Sequence, residues 1–171
     1  MKSLLKILFV VLLAFLYVKS NAQTCGTCST NITSLDSTSY TVNTGETFCV
    51  DTTGNFVGTI TLNGGTICNK GLFNPKSLIF TSGTINNNAN TSLKSAISVG
   101  ANSQLNNNPD AIMNIAGSLT VGGGTVSNNG IINVDQNIQN TSGSLTNSSI
   151  INCTQISGSG TLNNTGKINT N

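Results

Sequence analysis

GTVSNN, residues 124–129, is the stretch that decides the fold, because near copies of it return along the chain. Each copy carries a small residue, then a polar residue, then one aliphatic side chain, and an asparagine two positions later. The clearest copies are GTICNK at 65–70, GTINNN at 83–88, GSLTNS at 143–148 and GTLNNT at 160–165. A chain in which 27 of 171 residues are Asn could be disordered, but disorder does not repeat a motif with a period.

The copies align as columns with a spacing of 17–21 residues. Glycine stands two places before the aliphatic residue in every copy except one, where Ser103 replaces it. Such columns predict that equivalent residues lie above one another in successive turns of a solenoid. The aliphatic column is Ile67, Ile85, Leu105, Val126, Leu145 and Leu162, and the asparagine column is Asn69, Asn87, Asn107, Asn128, Asn147 and Asn164.

Two further apolar columns complete each repeat. Upstream, pairs such as Ile60/Leu62 and Leu119/Val121 show the alternation of a strand with one buried face. The looser downstream column is Leu72, Ile112, Ile132, Ile151 and Ile168. Three short strands in a repeat of this length predict an all-β fold, a single-stranded parallel β-helix with about seven rungs, which we expect to be right-handed. A rung is one full turn of the solenoid.

Elementary physics assigns each column a role. The aliphatic residue points inward and stacks on its equivalents about 4.8 Å away along the axis. Glycine suits a corner where a Cβ would crowd the backbone. Asparagine is expected at the next corner in a left-handed conformation, with its amide bonded to the Asn of the neighbouring rungs. The sequence thus predicts an Asn ladder beside an aliphatic stack.

The first 22 residues have the features of a secretory signal peptide. Lys2 and Lys6 give a positive start, an almost unbroken apolar run extends from Leu4 to Val18, and small or polar residues follow. The predicted organisation is a signal peptide at 1–22, an N-terminal tail or cap at 23–38, and a parallel β-helix at 39–171, truncated at its C-terminus if the chain is incomplete. The expected location is extracellular or the cell surface, or the periplasm if the outer membrane is not crossed, with no membrane span after the leader is removed.

Charged residues are scarce, at 7% of the chain, and histidine is absent. Without residues 1–22, four Lys face five acids, so the net charge falls from +2 to −1 (4 − 5). Nucleic acid is not expected as a partner, because phosphate binding needs clustered cations. Neither an enzyme nor a metal or other cofactor is expected, because polysaccharide-cleaving β-helices need paired carboxylates or an acidic metal site, and these acids are dispersed.

Five cysteines in an exported chain predict disulfides, with free thiols in a reducing compartment as the alternative. Cys49 and Cys68 stand one rung apart, each directly after an inward residue, and are predicted to pair with each other. Cys25 and Cys28, in a C-x-x-C spacing, are predicted to form a local or capping disulfide in the N-terminal tail. Cys153 occupies an apolar column and is predicted to be a buried free thiol.

The residues on either side of each aliphatic residue are predicted to point outward as a flat face of hydroxyl and amide groups. Such a face resembles those of β-solenoid ice-binding proteins, and it could equally meet a glycan. The alternative interpretation is that Thr, Ser and Asn are simply favoured at exposed strand and turn positions, since Gln104 and Cys68 interrupt the lattice. The candidate binding column is Thr66, Thr84, Thr125, Ser144 and Thr161.

Three segments carry a resemblance to a known group of proteins: YTVNTGETFCV at 40–50, GTITLNGGTICNKG at 58–71 and SGTINNN at 82–88. Together with the leader ending Ser-Asn-Ala-Gln, they resemble the N-terminal solenoids of exported surface proteins of gliding Gram-negative bacteria. The resemblance covers nearly all of the chain after the leader. It implies export by the type 9 secretion route, although the C-terminal sorting domain usual in that group does not follow Ile168.

The sequence therefore predicts a secreted, non-enzymatic structural or adhesive β-solenoid module of the cell surface. The alternative is an ice- or glycan-binding protein that acts through the Thr/Ser/Asn face. A third interpretation is a truncated, inactive relative of a carbohydrate-active β-helix protein. Expected partners are surface polysaccharide or other extracellular matrix, and a second copy of the chain that pairs end to end at an uncovered solenoid end.

Overall fold

The computed structural model describes residues 25–171, so the signal peptide predicted at 1–22 lies outside the described residues. Over this range the chain consists of strands and turns without a helix. The strands in chain order are β1 (Thr30–Ile32), β2 (Leu35–Asp36), β3 (Ser39–Asn43), β4 (Thr47–Val50), β5 (Asn55–Phe56), β6 (Thr59–Asn69), β7 (Leu72–Phe73), β8 (Ser77–Asn87), β9 (Asn90–Leu93), β10 (Ile97–Gly100), β11 (Ser103–Asn107), β12 (Ile112–Ile115), β13 (Leu119–Gly122), β14 (Thr125–Asn128), β15 (Ile131–Val134), β16 (Asn137–Asn140), β17 (Ser144–Asn147), β18 (Ile150–Cys153), β19 (Gln155–Ser157), β20 (Thr161–Asn164) and β21 (Lys167–Thr170).

The strands stack in parallel, each on the strand one repeat earlier, and form a β-solenoid of about seven turns with three faces. Face A contains β1, β4, the second halves of β6 and β8, and then β11, β14, β17 and β20. Face B contains β2, β5, β7, β9, β12, β15, β18 and β21. Face C contains β3 and the first halves of β6 and β8, and continues after an interruption with β10, β13, β16 and β19. The predicted all-β parallel solenoid of about seven rungs is confirmed.

The aliphatic column of the repeat motif lies in register along face A, each member paired with the equivalent residue of the next rung. Its first five members, from Ile67 to Leu145, are at most 1% exposed. Leu162 is 43% exposed, so the prediction that it is a core residue is wrong. It lies on the last rung, where no later rung of the described chain covers it.

The predicted downstream column is wrong by one residue at two of its five positions. Leu72 is 43% exposed and Ile112 is half-buried on the outer side, whereas Phe73 and Met113 are fully buried. Successive residues of a strand point to opposite sides, so a shift of one position reverses the assignment. Both members of each pair are apolar, and the alternation therefore did not distinguish them. The inward column in register is Phe73, Thr91, Met113, Ile132, Ile151 and Ile168.

The solenoid begins earlier than predicted. Strands β1 and β2 lie within the predicted tail or cap at 23–38, and they pair with β4 and β5. The first rung is hard to recognise in the sequence because it buries few apolar side chains. Ile32 is buried, but Leu35 is 70% exposed. The described part of the tail before the first strand is therefore only residues 25–29.

Aromatic side chains fill the core of the first rungs. The ring of Phe48 lies 5.0 Å from those of Tyr40 and Phe56, and Phe73 stacks on Phe56 at 5.7 Å. Later rungs bury Ile, Leu, Val and Met instead. The stack thus changes from aromatic to aliphatic filling along the axis.

Glycine is required at two kinds of corner. Gly83, which precedes the aliphatic Ile85, has φ of +108°, a conformation that residues with a side chain rarely adopt. A Cβ on Gly124 would clash with the carbonyl oxygen of Gly100 and with a methyl group of Val99. These contacts explain why the repeat motif opens with glycine.

Candidate binding face

The asparagine column forms a continuous ladder inside the corner between faces A and B. The amide nitrogen of Asn87 donates to Asn107 Oδ1 at 2.8 Å, and Asn107 donates to Asn128 at 2.8 Å. The same bond joins Asn69 to Asn87, Asn128 to Asn147, and Asn147 to Asn164. All members are fully buried except Asn164 on the last rung, which is exposed. The predicted Asn ladder is confirmed.

Each ladder amide also fixes the chain as it passes from face A to face B. Asn128 Nδ2 donates to the carbonyl of Ile150 at 2.8 Å, while its Oδ1 accepts the N–H of Gly130 at 3.2 Å. The ladder residues end strands and do not have the left-handed conformation that the sequence suggested. Among the described residues other than glycine, only Asn102 and Asp110 have positive φ. Asparagine is needed here because its side chain replaces backbone partners at the corner.

The candidate binding column lies straight along the outside of face A. Thr66, Thr84, Gln104, Thr125, Ser144 and Thr161 are partners in consecutive strands. Thr125 and Thr161 are exposed, whereas Thr66, Thr84 and Ser144 are half-buried. Gln104 is exposed and places a longer amide side chain in the middle of the hydroxyl column. The structure therefore brings together all five predicted residues, with one interruption.

A second outward column runs parallel to the first, two residues further along each strand. Its first member, Asn31, is exposed, whereas the next three, Cys49, Cys68 and Asn86, are at most 6% exposed although they point outward. Its later members are half-buried or exposed: Asn106, Ser127, Thr146 and Asn163. The outer surface of face A is therefore covered along this column at β4, β6 and β8, and open at β1 and on the later rungs.

The two disulfides explain why the cysteine end of this column is covered. Cys25 bonds to Cys68 with the Cα atoms 5.7 Å apart, and Cys28 bonds to Cys49 at 5.8 Å. All four predicted cysteines are oxidised, but the predicted pairings Cys49–Cys68 and Cys25–Cys28 are wrong. Cys49 and Cys68 are direct neighbours in register, as expected. Their parallel Cα–Cβ bonds keep the Cβ atoms about 4.8 Å apart, beyond the 3.5–4.5 Å that a disulfide prefers.

The ionisable groups do not converge on one site. Within residues 25–171, no three His, Cys, Asp or Glu side chains lie close enough to hold a metal ion. Cys153 is a buried free thiol, as predicted, and burial raises its pKa. Hydrogen bonds from the side chain and backbone of Thr38, with a further bond from Tyr40, lower the pKa of Asp36.

Face B carries a second ladder that the sequence interpretation missed. Asn133 donates to Asn114 at 2.8 Å, Asn152 to Asn133 at 2.7 Å, and Asn169 to Asn152 at 2.6 Å, all on the outer surface. The signal was present as the recurring tetrapeptides IMNI, IINV, IINC and KINT, in which Asn follows an outward residue by two positions. That outward column is Ile112, Ile131, Ile150 and Lys167.

A shallow groove of about 370 Å³ runs beside the isoleucine column across three rungs. Its walls come from Pro109, Asp110, Asn129 and Ser149 at the corner between faces A and B. Asp110 is the one charged residue that lines it. The groove is thus a concave surface with a single charged residue, separate from face A.

The fold and these faces define the class of protein as a parallel β-solenoid with two disulfides and a buried Asn ladder. No protein-family model matches the chain, and comparisons with curated proteins and with solved structures find no match either. Within the described residues there is no helix of the length and apolarity that crossing a membrane would take. The disulfides point to an oxidising environment.

Proposed function

We propose that the chain is a non-enzymatic structural and adhesive β-solenoid module, secreted and held at the cell surface. The observation that carries this proposal is the register of face A, on which outward hydroxyl and amide groups recur once per rung. A polymer with a regular repeat can meet the same groups on successive rungs, so weak contacts add along its length. The scarcity of charge favours a neutral partner such as a surface polysaccharide.

Secretion is supported by two independent features. Residues 1–22 have the composition of a signal peptide, and four of the five cysteines are paired. The resemblance to solenoids of gliding Gram-negative bacteria fits the same location, with the periplasm as the alternative. We propose the outer cell surface, because the proposed partner, a surface polysaccharide, lies there.

The second candidate function is recognition of ice or glycans by the column from Thr66 to Thr161. The specific observation in its favour is that these hydroxyl groups lie in one line on the outside of face A. Ice demands a flat surface, and the exposed side chain of Gln104 breaks that flatness. A glycan tolerates such a break because amide groups bond to sugar hydroxyls as well as threonine does. We therefore place glycan binding before ice binding.

A pull-down on insoluble polysaccharides tests both proposals. The variant T84K/T125K adds two charges to face A, and we expect it to bind about tenfold more weakly, or about 1.4 kcal/mol. The matched control S98K/Q139K adds the same charges at exposed outward positions of face C and should bind like the wild type. An equal loss in both variants would show that net charge, and not face A, governs binding.

Two further readouts separate the remaining alternatives. Failure of the wild type to bind any polysaccharide would contradict the adhesive proposal. Inhibition of ice recrystallisation that T84K/T125K abolishes and S98K/Q139K retains would establish ice binding instead. Release of reducing sugar by the purified wild type would contradict the proposal of a non-enzymatic module.

A further inference from the structure

The segment Cys25–Cys28 lies as a strap along the solenoid axis. Cys28 is bonded to the strand β4 and Cys25 to β6, one rung further on, so the four residues span two adjacent rungs of face A. Cys49 and Cys68 point outward yet are only 4% and 0% exposed. The strap therefore covers a part of face A that would otherwise be surface.

The two disulfides hold the strap in place, and backbone hydrogen bonds do not. Within the described residues, no backbone–backbone hydrogen bond involves residues 25–28. The first one is made by Ser29, whose N–H donates to the carbonyl of Thr47 at 2.8 Å. The middle of the strap, Gly26 and Thr27, is exposed. Breaking the two disulfides would thus release the strap without removing a backbone bond from the solenoid.

A reductant has a route to the disulfides. Cys25, Cys28 and Cys49 line a small open cleft of about 80 Å³, which Asp51 and Lys70 also line. The cleft carries one positive and one negative side chain, Lys70 and Asp51, so a neutral reductant can enter it without net charge repulsion. Cys153, in contrast, is only 2% exposed, far along the chain on the strand β18.

We propose that residues 25–28 are a redox-released strap, closed by oxidation over the first rungs of face A and opened by a dithiol reductant. One dithiol attacks each disulfide through a mixed disulfide and leaves as its own cyclic disulfide, so two dithiols are oxidised while Cys25, Cys68, Cys28 and Cys49 become thiols. Opening exposes Cys49 and Cys68 on the outer side of β4 and β6. Any effect of opening on a ligand rests on the proposed adhesive function, whereas the release itself does not.

Alkylation of the native protein in dithiothreitol, read by mass spectrometry, tests the strap without any ligand. We expect the four strap-related thiols to react on the order of 100-fold faster than Cys153, while circular dichroism keeps the β signal. Alkylation of all five cysteines together would overturn the proposal, because it would mean that reduction unfolds the solenoid. Resistance of both disulfides to the reductant under native conditions would also overturn it.

The double variant C25S/C28S provides a second test without reductant. It leaves Cys49 and Cys68 as neighbouring thiols in a chain whose strap cannot close. We expect both to be alkylated in the folded protein and Cys153 to stay unmodified. Protection of Cys49 and Cys68 in this variant would show that something other than the strap covers them, and the proposal would fail.

Discussion

At the scale of single residues, the buried asparagine ladder is the feature that most distinguishes this core from an ordinary hydrophobic one. Asn107 Nδ2 donates to Asn128 Oδ1 at 2.8 Å and to the carbonyls of two nearby backbone residues, and its own Oδ1 accepts from Asn87. A buried amide costs free energy unless its groups are satisfied, and repetition satisfies them on each rung. The ladder therefore fixes the register of each rung as well as its stability.

We predict that Asn107→Ala lowers the free energy of unfolding by roughly 2–4 kcal/mol, because it leaves a cavity and removes one hydrogen bond from the buried amide on each side. Chemical denaturation followed by circular dichroism measures this change. The matched control is Asn133→Ala, which cuts the ladder on the outside of face B, where water replaces the lost partner, and should cost less than about 0.5 kcal/mol. Equal costs in the two variants would contradict the distinction between the buried and the outer ladder.

Cys153 gives a prediction about pH. Burial raises the pKa of its thiol, and the backbone N–H of Gln155 lowers that pKa in part. The unfolded chain therefore loses the proton at a lower pH than the folded chain does, so this group favours unfolding as the pH rises past its unfolded value of about 8.5. Below that pH neither state is ionised and the contribution disappears.

The stability of wild type and Cys153→Val should accordingly diverge between pH 8 and pH 10. We expect the wild type to lose stability with rising pH relative to the variant, because valine fills the same apolar site without a proton to lose. Denaturation curves of both proteins across this range measure the difference in stability. The contributions of all other titratable groups cancel, because the two proteins share them. A constant difference would show that Cys153 does not ionise differently on unfolding.

At the scale of single elements, each strand of face A has an inner and an outer side with opposite requirements. In β14 the side chain of Val126 is fully buried between Leu105 and Leu145, while the adjacent Thr125 is exposed. One strand cannot bury its apolar side alone, so its stability comes from the rungs on either side. A change at one inward position therefore affects three rungs.

We predict that Val126→Asp removes the β signal in circular dichroism, whereas Thr125→Asp retains it. A carboxylate in the inward stack has no partner and costs several kcal/mol, which is comparable to the stability of a whole domain. The same carboxylate one residue earlier stays in water. If both variants fold, the inward assignment of Val126 is wrong.

The strands also show where sequence reasoning succeeded and where it did not. The columns through Ile67 and Asn69 were readable because one apolar residue stood between polar neighbours. At Leu72-Phe73 and Ile112-Met113 two apolar residues are adjacent, so the alternation did not show which of the two points inward. The disulfide pairing failed for a different reason, because it depends on a tail crossing two rungs, which no column of the repeat encodes.

At the scale of the whole molecule, the solenoid is a one-dimensional stack in which each rung contacts its neighbours only. Its fold class followed from the period alone, since a period near 19 residues with three apolar columns leaves few other architectures. The surface of the candidate binding face was less predictable from the sequence. The sequence placed Thr125 outside but did not show that the strap closes the first rungs, or that face B carries its own ladder.

A stack of this kind should not open uniformly. The middle rungs have covered neighbours on both sides, whereas all four residues of β20 are exposed. At the other end, the two disulfides tie the first rungs together. Local opening costs least where a rung has one neighbour and no covalent tie, so fraying is expected from β20 and β21 inward.

Native-state hydrogen exchange measures this gradient strand by strand. We predict that backbone amides of β20 exchange at least about 100-fold faster than those of β14, which corresponds to roughly 2.7 kcal/mol in opening free energy. Strands β4 and β6 should resemble β14 in the oxidised protein, because the strap opposes fraying from the first rungs. Equal protection along the whole stack would contradict this prediction. It would mean that the solenoid opens as a single cooperative unit in spite of the exposed strand β20.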